Sequence, residues 1–257
     1  MDIEDVHIDS VGLLCRDMSV DRDLAARLGL RAPSWDAITG EVQDGVFLPT
    51  TDGDALELAP GKLLTPPGYP FRLRLGKDGV YVAGSLMRAR HGKKHNVDRV
   101  SGPKAIEAGL RGMGDLLQKV GLHTDILEGE LRRVDLCRDV MLDRPLWEYA
   151  EAIEAAGIAR MTPTDGASLG LRGLPPGSFL KHTSDRAYAL YDKPAEMGLP
   201  STTSSTHVAR GEGRFMTKRS VQHHLRLNKG EDLVRAYPAL IDGYGRLLSW
   251  SLGEHSG

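Results

Sequence analysis

Arg186-Ala-Tyr-Ala-Leu-Tyr-Asp-Lys-Pro-Ala-Glu196 is the stretch on which the fold turns. Read as a strand from Arg186 to Lys193, it places Ala189, Tyr191 and Lys193 on one face by alternation, with Tyr188 facing away. Pro194 has no N–H to give to a ladder, so the strand ends there. Tyr191 then stands near a strand end, beside a cation, with Glu196 just beyond. A phenol in that setting is a candidate covalent nucleophile. Lys193 is expected to favour the phenolate and to attract a phosphate. The plainer alternative is a half-buried packing tyrosine with a solvated lysine as neighbour. Tyr188, three residues earlier, is a competing nucleophile on the opposite face.

Two other segments carry the same alternation of charge. The second strand of a strand–turn–strand over His123–Asp139 puts Arg133, Asp135, Cys137 and Asp139 on one face. A strand over His207–Phe215 puts Val208, Arg210, Glu212 and Arg214 on one face. A solvated antiparallel face also alternates in this way. Three strands that offer acid, base and phenol together nevertheless define a candidate site.

The remaining chain supplies strands and helices around these three. Residues 5–15 read as a first strand, and Asp17–Leu28 as a short helix closed by Gly29. Residues 30–68, rich in Gly, Pro, Asp and Thr, are expected to hold short strands around Gly45–Leu48, Ala55–Leu58 and Glu41–Val42. Phe71–Leu75 and Gly79–Gly84 form a hairpin around the turn residues Gly76-Lys-Asp-Gly79. Ser101–Gly121 is a helix, with Pro103 in its first turn and Ile106, Leu110, Met113, Leu117 and Val120 at helical spacing. Pro145–Ala156 reads as an amphipathic helix with Leu146, Trp147, Ala150 and Ile153 inward. Arg160–Pro163, Ser168–Arg172 and Ser178–His182 are short strand candidates, and Pro194–Ser205 is a loop. Thr217–Leu227 and Glu231–Trp250 are helical, the latter interrupted near Pro238 or Gly243, and Gly253–Gly257 is an expected disordered tail. The expected fold is α+β: a mainly antiparallel sheet with helices packed on one face. The expected division is a catalytic domain over 1–215 and a helical extension over 216–257.

Composition narrows the function classes. The chain has 257 residues, 40% hydrophobic and 26% charged, ordinary for a globular protein. Aromatics are only 5%, too few for base-stacking platforms. The net charge of −2 argues against coating nucleic acid by bulk charge. One segment is locally basic: Met87–Lys104 carries Arg88, Arg90, Lys93, Lys94, Arg99 and Lys104 with His91 and His95, against the single acid Asp98. It reads either as a phosphate-contacting segment or as a solvated loop. Cys15 and Cys137 have no disulfide-framework or zinc spacing. With an acidic N-terminus and no apolar run long enough for a bilayer, a cytoplasmic protein without a membrane partner is expected.

Four of these segments, in this order, resemble the replication endonucleases of filamentous phages, the phage-plasmid replication proteins of the II/X type. Gly84-Ser-Leu-Met-Arg-Ala-Arg-His-Gly-Lys-Lys-His-Asn-Val97 resembles their segment from Gly-Ser through a basic residue to Gly and His-Asn. Arg133-Val-Asp135 resembles their R-[IV]-D strand, Leu190-Tyr-Asp-Lys-Pro-Ala-Glu196 their Y-x-K-x-x-E segment, and Val208-Ala-Arg-Gly-Glu212 their R-x-E strand. Thr183–Lys193 also resembles plasmid rolling-circle initiators of the Rep-trans type. The resemblance implies a rolling-circle replication initiator. Such a protein nicks one strand of an origin, becomes linked to the 5′-phosphate through a tyrosine, leaves a 3′-OH for a polymerase, and later rejoins the strand.

Carried over residue by residue, it implies Tyr191 as nucleophile with Lys193 beside it, and Asp135 and Glu212 as ligands of Mg²⁺ or Mn²⁺. His95 is implied as a further ligand. Arg88, Arg90, Lys93, Lys94, Asn96, Arg133 and Arg210 are implied as DNA contacts, the two last either binding flanking phosphates or tuning the carboxylates. Its implied partner is origin DNA, single-stranded or supercoiled, with a host helicase and polymerase; oligomerisation is left open. The chain has no contiguous His-hydrophobic-His motif, and His223-His224 reads as a surface pair. Two other readings stay open: a DNA-binding replication regulator of the same fold that does not cut, and a module that binds no nucleic acid.

Overall fold

The computed structural model describes residues 6–28, 46–49, 55–58, 71–76, 78–91, 100–160, 174–175, 177–196, 198 and 207–253. In chain order the strands are β1 His7–Cys15, β2 Met18–Val20, β3 Val46–Pro49, β4 Ala55–Leu58, β5 Phe71–Gly76, β6 Gly79–Ser85, β7 Leu122–Thr124, β8 Glu130–Leu142, β9 Ala159–Arg160, β10 Phe179–His182, β11 Arg186–Asp192 and β12 His207–Phe215. The fold is α+β with a large antiparallel sheet. The chain divides into two compact units. One comprises Met1–Asp9, Arg133–Arg226 and Ala236–Gly257, the other Ser10–Arg132 and Leu227–Arg235.

The second unit is built on the β5–β6 hairpin, with β6 paired antiparallel to β1 from Ser10↔Ser85 to Cys15↔Val80. Phe71 and Leu73 are buried while Arg72 and Arg74 are exposed, the alternation expected of a strand with one wet face. Gly79 closes the hairpin at φ 129, and a Cβ there would lie 2.2 Å from the Cys15 carbonyl oxygen, so only glycine fits. The helix Pro103–Lys119 buries Ile106, Leu110, Met113 and Leu117 at spacings of three and four. The segment Asp17–Leu28 is not one helix. Met18–Val20 pairs with Leu122–Thr124 as a short ribbon, and the helix begins at Arg22. Asp21 sets that start, since its Oδ1 accepts the Leu24 N–H at 2.7 Å.

The first unit holds the strand order β8–β12–β11–β10–β9. β12 is central, in register with β11 (Tyr191↔Arg210, Ala189↔Glu212, Ala187↔Arg214) and with β8 (Arg210↔Asp139, Glu212↔Cys137, Arg214↔Asp135). The helix Tyr237–Ser251 packs on the opposite face. There the Tyr244 hydroxyl donates to the Gly211 carbonyl at 3.2 Å, and its ring lies 6.3 Å from that of Tyr188. Gly211 and Gly213 make room for this helix: a Cβ on the first would lie 2.3 Å from the Tyr188 hydroxyl oxygen, and on the second 2.6 Å from Leu247. Lys181, at the far end, donates to the carbonyls of Trp250 and Ser251 at 3.0 and 3.1 Å, where the helix presents unpaired acceptors.

Three expectations are corrected here. Trp147 is 70% exposed rather than inward, because Leu146–Tyr149 is a 3₁₀ turn and the α-helix starts only at Ala150. Lys193 is not the last strand residue but the first of a short helix, Lys193–Glu196. Met87–His91, expected within a loop, belongs to the helix Leu86–His91. The expected strands at Glu41–Val42 and Ser168–Arg172, and the tail from 254, lie outside the described residues.

Candidate active site

The first unit brings the three charged strands side by side, with their charged residues on one face. Register makes three rows across the sheet: Tyr191, Arg210 and Asp139; then Ala189, Glu212 and Cys137; then Ala187, Arg214 and Asp135. The Tyr191 hydroxyl reaches diagonally and donates to Glu212 Oε2 at 3.0 Å. Arg214 Nε lies 2.8 Å from the other Glu212 oxygen. Arg210 is 1% exposed and grips Asp139 through Nε at 2.6 Å and Nη2 at 2.9 Å. Its Nη1 is buried without a hydrogen-bond partner, 3.6 Å from Oδ1 of Asp9. Arg133 holds both Asp135 oxygens, from Nε at 2.9 Å and Nη2 at 2.6 Å.

This electrostatic pattern corrects the expected phenolate. Tyr191 is 3% exposed, and Lys193, itself buried, is engaged by Glu196 at 2.5 Å. Burial, followed by the charge of Glu212, pushes the Tyr191 phenol well above its ordinary range, against only the Arg210 guanidinium. The hydroxyl is therefore protonated and donates to the carboxylate. Its ring belongs to a buried cluster with Leu180, Ala187 and Ala189, against which Leu174 and Met216 pack. Arg210 likewise meets carboxylates rather than solvent, which fits tuning of the acids and not a surface phosphate contact. Tyr188 faces the helix Tyr237–Ser251, as alternation requires, and stands outside the site.

The sequence reading missed Asp9, and it placed Asp139 and Cys137 on the charged face without giving either a role. Asp9, Cys137 and Glu212 place donor atoms within 4.8 Å of one another. Burial, then Glu212, pushes the Asp9 carboxyl up to about 7, with Arg210 opposing. Burial also raises the Cys137 thiol, which leaves it neutral. Carboxylate oxygens suit Mg²⁺ or Mn²⁺ and a neutral thiol does not, so the pair Asp9 and Glu212 fits such an ion with Cys137 as a neighbouring wall. Asp135 is not part of this group. The signal for Asp139 was the β8 alternation itself, and for Asp9 an acid set inside the first strand. His95, Lys93, Lys94, Asn96 and the Arg90 side chain lie outside the described residues; Arg88 lies on the Leu86–His91 helix of the second unit, half-buried.

No helix among the described residues is long and apolar enough to cross a membrane. No protein-family model and no curated protein matches the sequence. Among solved structures, the chain is similar to a rolling circle replication initiator protein from Geobacillus stearothermophilus, at 12% identity and a TM-score of 0.36, over 84% of this chain and 75% of that one.

Proposed function

We propose that the chain is a rolling-circle replication initiator of the phage or plasmid type, which nicks and rejoins one DNA strand through a phosphotyrosine at Tyr191. The observation that carries this reading is the Tyr191 hydroxyl bonded to Glu212, on a sheet face shared with Asp135, Asp139 and three arginines and with Asp9 beside it. In the proposed step the phenol oxygen attacks the phosphorus while its proton passes to Glu212. The P–O bond to the 3′-oxygen breaks, and that oxygen leaves with a proton from solvent. Rejoining reverses these bonds, and because the phosphotyrosine retains an ester bond to phosphorus no nucleotide cofactor is needed. Mg²⁺ or Mn²⁺, for which Asp9 and Glu212 would supply oxygens, would polarise the phosphoryl oxygen. Arg210 and Arg214 fix the acids and offset their mutual repulsion.

The burial of the phenol favours a second reading, a DNA-binding regulator of this fold that does not cut. On the first reading the strand must reach a ring that is only 3% exposed. A covalent-adduct assay separates the two. Wild type, Tyr191→Phe and Tyr188→Phe are incubated with labelled single-stranded origin DNA, with Mn²⁺ or with EDTA. A denaturation-resistant protein–DNA band is expected for wild type and Tyr188→Phe with metal, and none for Tyr191→Phe or in EDTA. A band that persists in Tyr191→Phe moves the nucleophile elsewhere. Intact binding without any band favours the regulator.

A further inference from the structure

A cavity of about 650 Å³ opens at the other end of β11 from Tyr191. Arg186, which lines it, lies five residues from Tyr191, about 17 Å along an extended strand. The cavity stands apart from the acids described above and is lined wholly by the first unit. Its walls come from the β10–β11 turn and from the segment that follows β12. Arg186, Arg219, His223 and His224 are among the lining residues. Among the lining residues the one carboxylate is Asp185, and it already accepts the Thr183 hydroxyl at 2.6 Å.

Several features preorganise this positive wall. Arg186 lies over the Trp250 ring at 4.3 Å, which holds the guanidinium without neutralising it. The two histidine rings meet edge to face at 4.7 Å. Thr217 Oγ1 accepts the Ser220 N–H at 3.1 Å, which leaves its hydroxyl hydrogen to donate, and Ser184 adds a second hydroxyl. The His224 imidazole is pushed below its ordinary value by burial, then by Arg186, His223 and Arg246, with only Asp185 opposing. His224 is therefore neutral near pH 7, and the positive charge of the wall is that of Arg186 and Arg219, against the single lining carboxylate of Asp185. Guanidinium forks and hydroxyls together suit the several oxygens of a phosphate ester. The volume is that of a small-molecule site and exceeds what a bare phosphate fills.

We infer that this cavity is a second ligand site, which binds the phosphate of a nucleotide unit, either free or within a DNA strand. It does not depend on Tyr191 chemistry, so the adduct assay and the following test fail independently. Titration calorimetry of the full chain uses deoxyadenosine 5′-monophosphate and, separately, a twelve-nucleotide single strand lacking terminal phosphates. The variants are Arg219→Gln, Arg219→Lys and Tyr191→Phe. Arg219 is exposed, so its replacement should leave folding intact, which a thermal melt checks. Loss of one charge-assisted contact is expected to weaken binding about tenfold in Arg219→Gln. Arg219→Lys should be affected less, and Tyr191→Phe should bind the mononucleotide like wild type. Weakened mononucleotide binding identifies a free nucleotide as the source; weakened binding of the strand alone identifies a backbone phosphate. Absent binding of both probes, or affinities that Arg219→Gln leaves unchanged, overturns the inference.

Discussion

Burial, and after it the charge of the group proposed to take its proton, holds Tyr191 as a neutral phenol. Substitution by Phe removes the donor to Glu212 Oε2, while Arg214 still holds the other oxygen. The expected cost is about 1–2 kcal/mol in urea unfolding, small enough for the variant to remain folded in the adduct assay. Asp9 gives a pH prediction. Its carboxyl is raised to about 7, from a value near 4 in the unfolded chain, so the folded protein binds the proton more tightly. Stability from this group is therefore greatest below about pH 4, declines as pH rises through about 7, and is flat above. In EDTA, Asp9→Asn should be more stable than wild type at pH 8, on the order of 2 kcal/mol, with the gap closing towards pH 4. Urea melts across that range check it, and a gap independent of pH would show that Asp9 is ionised throughout.

The elements explain what could be read from sequence and what could not. The alternation of Arg210, Glu212 and Arg214 against Gly211 and Gly213 marks one strand with a charged face and a face kept small for a helix. That pattern is local, and β12 spans the expected residues His207–Phe215. The face of Tyr191 was legible for the same reason. Asp9 was not, because Cys137 and Glu212 come to it only through pairing across more than a hundred residues. Trp147 was misplaced because its inward reading assumed α-helical rotation from Pro145 onward. A 3₁₀ turn advances about 120° per residue instead of 100°, which turns the indole to solvent. The glycine face yields a graded prediction. Gly211→Ala drives a Cβ against the hydroxyls of two rigid rings, at 2.3 Å from Tyr188 and 2.6 Å from Tyr244. Gly213→Ala meets the terminal methyl of Leu247, which can rotate away. Thermal or urea unfolding should show Gly211→Ala less stable by about 1–3 kcal/mol, with Gly213→Ala the milder of the two.

Charge over the whole molecule decides where nucleic acid can be held. The net charge is −2, and the arginines on the tyrosine face are each engaged by a carboxylate: Arg133 by Asp135, Arg210 by Asp139, Arg214 by Glu212. Such pairs orient one another but release few counterions when a strand arrives. The sequence concentrates its unbalanced cations elsewhere, in Met87–Lys104, with Lys93 and Lys94 adjacent. Strand affinity should then depend on that segment and be insensitive to base sequence. Each phosphate contact on single-stranded DNA contributes about 0.7 to the slope of log affinity against log salt concentration. Lys93→Gln with Lys94→Gln should therefore flatten the slope by about 1.4, with the melting temperature unchanged. Fluorescence anisotropy over a salt series measures this. A slope that does not move would make the segment a solvated surface, and affinity would then come from the cavity of Arg186 and Arg219 or from arginines drawn away from their carboxylates. In the latter case weakening a pair by Asp139→Asn should tighten strand binding, whereas a segment-borne contact predicts no change.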